Sequence, residues 1–524
     1  MSERQISLHE SMLLAGQCCL NWLDRDFHFL PTGGWEVAHD VGRWWDAVLR
    51  LEASTDFEIP SELEAAMLHN LQRMTDNPDG LLLNSQEFKG LIVQITLHNL
   101  REAMIAFHAL VRYRESEWAR EAARRLLETL DRCLRPDGAL DVERLVCWGQ
   151  IPMRVPKRGT ADVGAGIPAQ DGWSDSTETT GRCLEGIVWY YQATGDPLAI
   201  QVAERIAAHH LENSTSPDGS VRSEILEPTN IGHCHSYLGT LRGLLLFGLE
   251  TGQREYVDRV AATYHVGIPK SIMSESGWTP HDLGMVRYPD DNGDPFAEPA
   301  SCGDALQIAL WLALHDDQPR LFDDVERLMR ARILPCQIVS EDQEFPGERT
   351  PSSLPKLVGG WGPYSPPYSR GGVVLDILAA VLHTELDAYD HIVERNENGL
   401  RVNLHFDYDG PECSLSVARS GTASVRCRPK HEGDLQLRLP GWAPEQSVTV
   451  TVDGEACEWS ERDPYVLISR TQLPPGAEAR LSFELPERTT VETMPVSGHE
   501  YTLSWRGDRP VSVIPYDDPC RLYA

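Results

Sequence analysis

The chain is short of basic charge. Its 524 residues carry 47 Lys and Arg against 79 Asp and Glu, a formal net charge of −32. A surface this acidic repels nucleic acid and anionic membranes, so neither is expected as a partner. A local basic pocket could still hold one acidic sugar. The chain also lacks a basic start followed by a long apolar run. Its opening, MSERQISLHESMLLAGQCCLNWLDRDF, spaces apolar residues helically and interrupts them with His9, Glu10 and Asp24. No signal peptide or membrane span is read there, and the expected compartment is the cytoplasm. CxxC pairs are missing as well. The 12 cysteines are scattered, which suits buried thiols better than disulfides. No low-complexity linker is present, so whatever domains form are expected to pack tightly.

What is present is an alternation. Six apolar helical runs open with polar or aromatic residues that the runs do not need. They are HDVGRWWDAVLRL from His39, LHNLREAMIAFHALVRY from Leu97, STETTGRCLEGIVWYYQATGD from Ser176, GHCHSYLGTLRGLLLFGLETG from Gly232, AEPASCGDALQIALWLAL from Ala297 and SPPYSRGGVVLDILAAVL from Ser365. Six more charged, one-sided runs alternate with them, starting near Ile6, Pro60, Ser116, Pro197, Arg254 and Gln318. The turn Thr194-Gly195-Asp196 before Pro197 supplies an N-cap and a first-position proline. Related turns follow Glu250 and His315. Helices that are apolar nearly all round are buried, and one-sided helices face solvent. Twelve such helices predict an (α/α)6 barrel over residues 1–388, with an open helical solenoid as the alternative. After about Asp390 the pattern changes to period two, from RVNLHFDY to YTLSWRGD, with Gly, Pro and Asp-Gly breaks. This predicts a C-terminal antiparallel β-sandwich over 389–524. The fold class is therefore mainly α with a β domain.

Parallel inner helices place all six N-termini at one end, each with free N–H groups and a positive dipole end. Counting back from the closing turns puts His39 or Asp40, His98, Glu178, His235, Glu298 or Pro299, and Tyr368 at one level. Long loops rich in Gly, Pro and Trp feed these openings, as functional loops do. One carries Asp171, Trp173 and Asp175. A second carries Trp278, His281, Asp282, Asp294 and Glu298, and a third Trp361, Tyr364, Tyr368 and Arg370. Indole and phenol faces stack on sugar rings, while carboxylates and imidazoles bind hydroxyls, so the level reads as a carbohydrate site. Each residue also has a structural reading. Glu178, Asp175, Asp40 and Glu298 could be helix caps or first-turn charges. His98 could be a satisfied core histidine, and Trp44 and Trp45 read as core. His233 and His235 flank Cys234 like a metal pair, but no further ligand stands at metal spacing, and no metal or cofactor is expected.

The C-terminal stretch LQLRLPGWAPEQSVTVTVDGE from Leu435 is followed by Ile468-Ser469-Arg470, a Pro-Pro-Gly turn and WRGDRPVSVIP. The helical half orders GHCHSYLGTL, a long loop, EPASCGDAL and SPPYSRGG before VNLHF. With these elements the chain resembles glycoside hydrolase family 127, the β-L-arabinofuranosidase-like proteins, over most of residues 170 to 520. The resemblance implies an (α/α)6 barrel with β-sandwich domains and retaining hydrolysis of a glycosidic bond. That family's zinc-bound thiolate site, a Glu-x-Cys element and a Cys-Cys pair, is not matched. Cys302 matches one cysteine, Ala300 stands in place of the glutamate, and the pair becomes Tyr364-Ser365. The family's acid/base glutamate falls near Ser274 to Leu283, where Glu275 and Asp282 are the acids present and Asp282 is preferred.

The combined expectation is an exo-acting, metal-independent glycoside hydrolase working on oligosaccharides. Its catalytic carboxylates would come from Glu178, Asp282, Glu298, Asp40 and Asp175. Substrate would be bound by His39, His98, Trp173, Arg182, His233, His235, Trp278, His281, Tyr364, Tyr368 and Arg370. Two rivals stand beside it. One is a lyase in which Tyr364 or Tyr368 with His235 and Arg370 eliminates across a uronate. The other is a sugar-binding protein without chemistry. A homo-oligomer is compatible with the sequence.

Overall fold

The computed structural model describes residues 6–31, 37–83, 98–141, 179–227, 233–285, 292–340, 357–362, 375–397, 399–462 and 464–515. Within them, six helix pairs follow one another. The outer helices are α1 (Leu8–Asn21), α3 (Ser61–Met74), α5 (Glu117–Cys133), α7 (Pro197–Ser214), α9 (Arg254–Ala262) and α11 (Phe322–Leu328). The inner ones are α2 (Val37–Ser54), α4 (His98–Arg114), α6 (Thr179–Thr194), α8 (Cys234–Thr251), α10 (Pro299–His315) and α12 (Leu375–Asp390). Helices α9 and α11 each continue through a π-helical turn, at Thr263–Gly267 and Met329–Ile333. Each inner helix packs on the next, and α12 returns to α2, so the ring closes. The barrel therefore holds and the open solenoid does not.

Local chemistry explains the elements. Ser7 and Glu10 form a reciprocal capping box on α1, with Ser7 N–H donating to Glu10 at 2.9 Å and Glu10 N–H to Ser7 at 3.1 Å. Gly195 at φ 69° ends α6 in a left-handed turn, and Asp196 accepts from Leu198 N–H at 2.9 Å before Pro197 opens α7. Every residue from Cys234 to Gly248 in α8 is buried, whereas α5 buries one stripe of Ala119, Ala122, Ala123, Leu126, Leu127 and Leu130. Small residues set the close helix crossings. A Cβ on Gly42 would lie 2.7 Å from the Glu102 Cβ, and one on Gly243 2.6 Å from the Leu184 Cβ.

The ring is sealed between the first helix and the last third of the barrel. Ser11 Oγ on α1 donates to Gln337 at 2.7 Å and lies 2.6 Å from Glu385 of α12. Burial pushes the Glu385 carboxyl up to about 8.

Apart from a short antiparallel pair, Leu23–Asp24 with Leu30–Pro31, the described strands begin at Val393. A six-stranded sheet runs 455–456, 449–452, 479–484, 422–429, 413–420 and 408–409 in order, all antiparallel. A five-stranded sheet runs 460–462, 465–468, 434–438, 399–402 and 393–396. Its 399–402 and 434–438 strands pair in parallel, a departure from the expected all-antiparallel sandwich. The chain leaves Val402, builds the 413–429 hairpin in the other sheet and returns, and such a crossover delivers the strand in parallel. Inward residues of both sheets, among them Leu400, Leu437, Val466, Val425, Leu481 and Phe483, join one apolar cluster. A third, three-stranded sheet, 487–493, 500–506 and 509–514, was not separated by the sequence pattern.

Helical and β parts meet through buried ion pairs. Glu326 of α11 takes Arg438 and Arg330, each at 2.5 Å, and the His405 N–H at 2.5 Å. Arg330 also reaches Asp508 at 2.6 Å. Glu492 accepts both the N–H and the hydroxyl of Ser276 at 2.8 Å. Among the described residues no helix is long and apolar enough to cross a membrane.

Candidate active site

The inner helix openings do converge. His233 and Glu298 are the residues just before α8 and α10, and neither side chain caps its own helix. They meet each other instead, with His233 Nε2 at 2.8 Å from Glu298 Oε2. The cap reading of Glu298 is thereby set aside. An extended segment fixes the neighbours. Glu298 N–H donates to the Thr279 carbonyl at 3.1 Å, His281 N–H to Phe296 at 3.0 Å, and Cys234 N–H to His281 at 2.9 Å. Asp282 pairs with His233 across an antiparallel bridge. The result is a wall of imidazoles. Ring centroids are 4.5 Å apart for His233 and His281, 5.9 Å for His98 and His233, and 5.5 Å for His39 and His98. His98 also lies 3.1 Å from the Ser236 hydroxyl.

Beside this floor runs a layer of buried ion pairs, of which sequence reasoning named only His235 and Arg182, expected to bind substrate but engaged here with Asp304 and Glu102. His235 does not join His233 as a metal pair. It pairs with Asp304 and lies 2.7 Å from Arg43 and 3.2 Å from Arg182. Glu102 gathers Arg101 at 2.8 Å, Arg43 at 3.1 Å and Arg182 at 3.2 Å. Deeper, Arg242 bridges Asp304 at 3.2 Å and Glu185 at 2.5 Å. They are buried charged residues within mostly apolar stretches of the inner helices, two of them on α4 (Arg101 and Glu102) and two on α6 (Arg182 and Glu185). That anomaly was the available signal.

Burial controls the titration here. It pushes Glu298 up to about 7, against the pull of His281, Arg43 and Arg182. It takes Asp304 to about 7, and Asp376, in the first turn of α12, to about 6. The charges of Glu298 and Glu102 add to the rise at Asp376, so these acids share one space with Arg43. Asp376 was not among the sequence candidates. Burial also holds His39, His98 and His235 well below the usual imidazole value, and Arg182 down to about 9.

The remaining candidates divide. Asp40 is buried inside the first turn of α2, which starts at Val37, so it is not the cap of a helix starting at Val41. Asp282 is buried beside His233. Trp278 leaves the site altogether. It packs with Ala297, Ala331, Met494, Leu503 and Trp505 against the third sheet, because its loop is anchored there. Asp294 is spent on Ser497, 2.8 Å from its N–H, and Trp361 is core, donating to the Ile333 carbonyl at 2.8 Å. Glu275 pairs with Arg488 at 2.6 Å, away from the floor. Asp171, Trp173, Asp175, Glu178, Tyr364, Tyr368 and Arg370 lie outside the described residues.

Two metal sets can be compared with this geometry. The donor atoms of His233, His281 and Glu298 all lie within 4.8 Å of one another and could hold a cation. Of the zinc-thiolate set implied by the resemblance, two positions, Ala300 and Cys302, fall among the described residues. Ala300 has no donor. Cys302 turns outward, so that a Cβ on Gly277 would meet its Sγ at 2.9 Å, and burial takes its thiol to about 12.

Solved structures share the fold. This chain is similar to a family 127 β-arabinofuranosidase, with a TM-score of 0.59 at 15% identity over 96% of this chain and 78% of that one. A family 127 β-L-arabinofuranosidase from Geobacillus stearothermophilus T6 gives 0.54 at 16% identity, over 94% and 80%. A further glycoside hydrolase gives 0.59 at 15% identity, over 96% and 80%. At these identities the likeness is one of architecture, and fold alone does not assign chemistry. No family model matches the sequence, and no curated protein does.

Proposed function

We propose that this protein is a metal-independent glycoside hydrolase of exo type, acting on oligosaccharides at the floor of the barrel. The observation that carries the reading is the pair His233–Glu298, two residues at inner helix starts that spend their side chains on each other. A carboxyl that stays protonated to about 7 can give its proton to a leaving glycosidic oxygen, and His233 then hydrogen-bonds the carboxylate it leaves. Asp376, with Asp40 and Asp282 as the other buried acids, supplies the second carboxylate, as nucleophile or as base for water. His39, His98 and His281 hold substrate hydroxyls. The ion-pair layer blocks the barrel axis, so a sugar chain enters by its end and cannot pass through. Ala300 and the outward Cys302 speak against a thiolate-zinc mechanism. Cytoplasmic action belongs to the same proposal.

The test is an aryl glycoside panel, uronides included, with wild type, Glu298→Gln, Asp376→Asn and Asp282→Asn. Glu298→Gln should lower kcat by roughly 10²–10⁴-fold with an unchanged melting temperature. Full turnover in that variant would sink the reading. An ultraviolet-absorbing unsaturated product from a uronide would replace hydrolysis by elimination.

A further inference from the structure

The opposite end of the barrel is also open. The six inner helices end around a cavity of about 620 Å³ lined by Asp46, His108, Trp189, Leu246, Trp311 and Asp387, one from each helix. Along α4 it lies about 15 Å from the floor, ten residues beyond His98 at 1.5 Å each. A volume of this size accepts a small molecule. We propose that this mouth is a second ligand site, which takes a compact organic cation.

Three observations converge on that class. The first is field. Four carboxylates, Asp46, Asp387, Asp390 and Glu250, face two guanidinium groups, Arg50 and Arg112. Six helix C-termini add their negative dipole ends. Three histidines also line the cavity; burial takes the His108 imidazole down to about 4 and lowers His315 and His391 too, so they do not offset the surplus. The second is shape and surface. Trp189 and Trp311 stand at 75° with centroids 6.3 Å apart, a corner of two indoles, and His383 stacks on Trp189 at 5.0 Å. Trp311 already carries the Arg242 guanidinium at 5.8 Å from its centroid, and the half-buried Trp189 indole beside it attracts an ammonium group through its ring quadrupole. The third is an unused acceptor. Asp46 is 1% exposed, and neither of its carboxylate oxygens meets hydrogen-bond geometry with the described residues. Its Oδ2 lies at ion-pair distance, 2.6 Å, from His383 Nδ1. An ammonium head on Asp46, with its body against the indoles, satisfies all three. An anionic sugar would meet the same field as repulsion.

Calorimetric titration of the full chain with choline, glucosamine, glucose and glucuronate tests this. Choline and glucosamine should bind, and glucose and glucuronate should bind at least tenfold more weakly. Trp189→Leu should weaken choline at least tenfold. Asp390→Asn, a rim position 36% exposed that leaves the core untouched, should weaken it several-fold. Glu298→Gln should leave choline binding unchanged, which separates this site from the floor. The proposal falls if neither cation binds, if glucose binds as tightly, or if Glu298→Gln abolishes the binding that Trp189→Leu retains.

Discussion

Two groups of buried acids in this protein are left in opposite states. At the junction of barrel and sheets, Glu326 is held well below the usual carboxylate range, because Arg438, Arg330 and His405 outweigh its desolvation. At the floor, Glu298, Asp304 and Asp376 rise to about 7, 7 and 6, because desolvation outweighs their partners. The partners explain the contrast. Glu326 has two guanidinium groups at 2.5 Å and a backbone N–H. The close partner of Glu298 is an imidazole. A saturated cluster locks two parts of a molecule together. An undercompensated one stores protons near neutral pH, which is where a catalytic acid is wanted.

Breaking the lock should have the largest effect. Glu326→Gln removes the carboxylate that Arg330 and Arg438 share, leaving them Asp508 and Asp323, and should cost about 3 kcal/mol in urea unfolding, whereas Glu298→Gln should cost almost nothing. If the two variants unfold alike, the contrast is wrong. Trp278→Ala should cost about 3 kcal/mol by cavity formation in the same unfolding assay, and kcat of the remaining folded protein should be unchanged, since this indole serves the third sheet and not the substrate.

The contrast also fixes the sign of pH dependence. Glu298, Asp304, Asp376 and Glu385 keep their protons when folded to about 7, 7, 6 and 8, but lose them near 4 when unfolded. The folded state therefore binds more protons, and stability falls as pH rises from about 5 to 8, by on the order of 1 kcal/mol per unit for each group still protonated. Glu326, lowered on folding, gives stability that is present above its unfolded value and lost as pH falls. Melting temperatures across pH 3–9 should show both limbs. Glu385→Gln should flatten only the alkaline limb, and an alkaline limb that stays unchanged would contradict the rise at that group. The smallest effect is a null one. Dialysis against a chelator should leave hydrolysis unchanged, and loss restored by zinc or manganese would assign His233, His281 and Glu298 to a metal instead.

The barrel was legible because its punctuation is chemical. Gly195, Asp196 and Pro197 end one helix and begin the next wherever they fold. Counting back from such turns brought His39, His98, His235 and Glu298 to one level; His39, His98 and Glu298 do gather around His233, two residues from the expected position, while His235 pairs with Asp304 instead. Asp376 escaped because it stands one residue into α12, where an acid reads as an ordinary first-turn charge. Trp278 and Trp361 misled because a tryptophan in a Gly- and Pro-rich loop has the same pattern at a sugar rim or beneath a sheet. The parallel strand pair was hidden for a similar reason. Period two reports which face is buried but not the direction of the neighbour.

The seam at Ser11 has a consequence for how the protein is made. Its partners Gln337 and Glu385 stand 326 and 374 residues further along the chain. At about 5–20 residues per second of synthesis, the first helix leaves the ribosome tens of seconds before α12 exists to cover its other side. Helix pairs can form as they emerge, but the ring has a missing stave until the chain has grown past Glu385. Over that interval the apolar side of α1, with Met12, Ala15, Cys18 and Cys19, is the surface a chaperone would find.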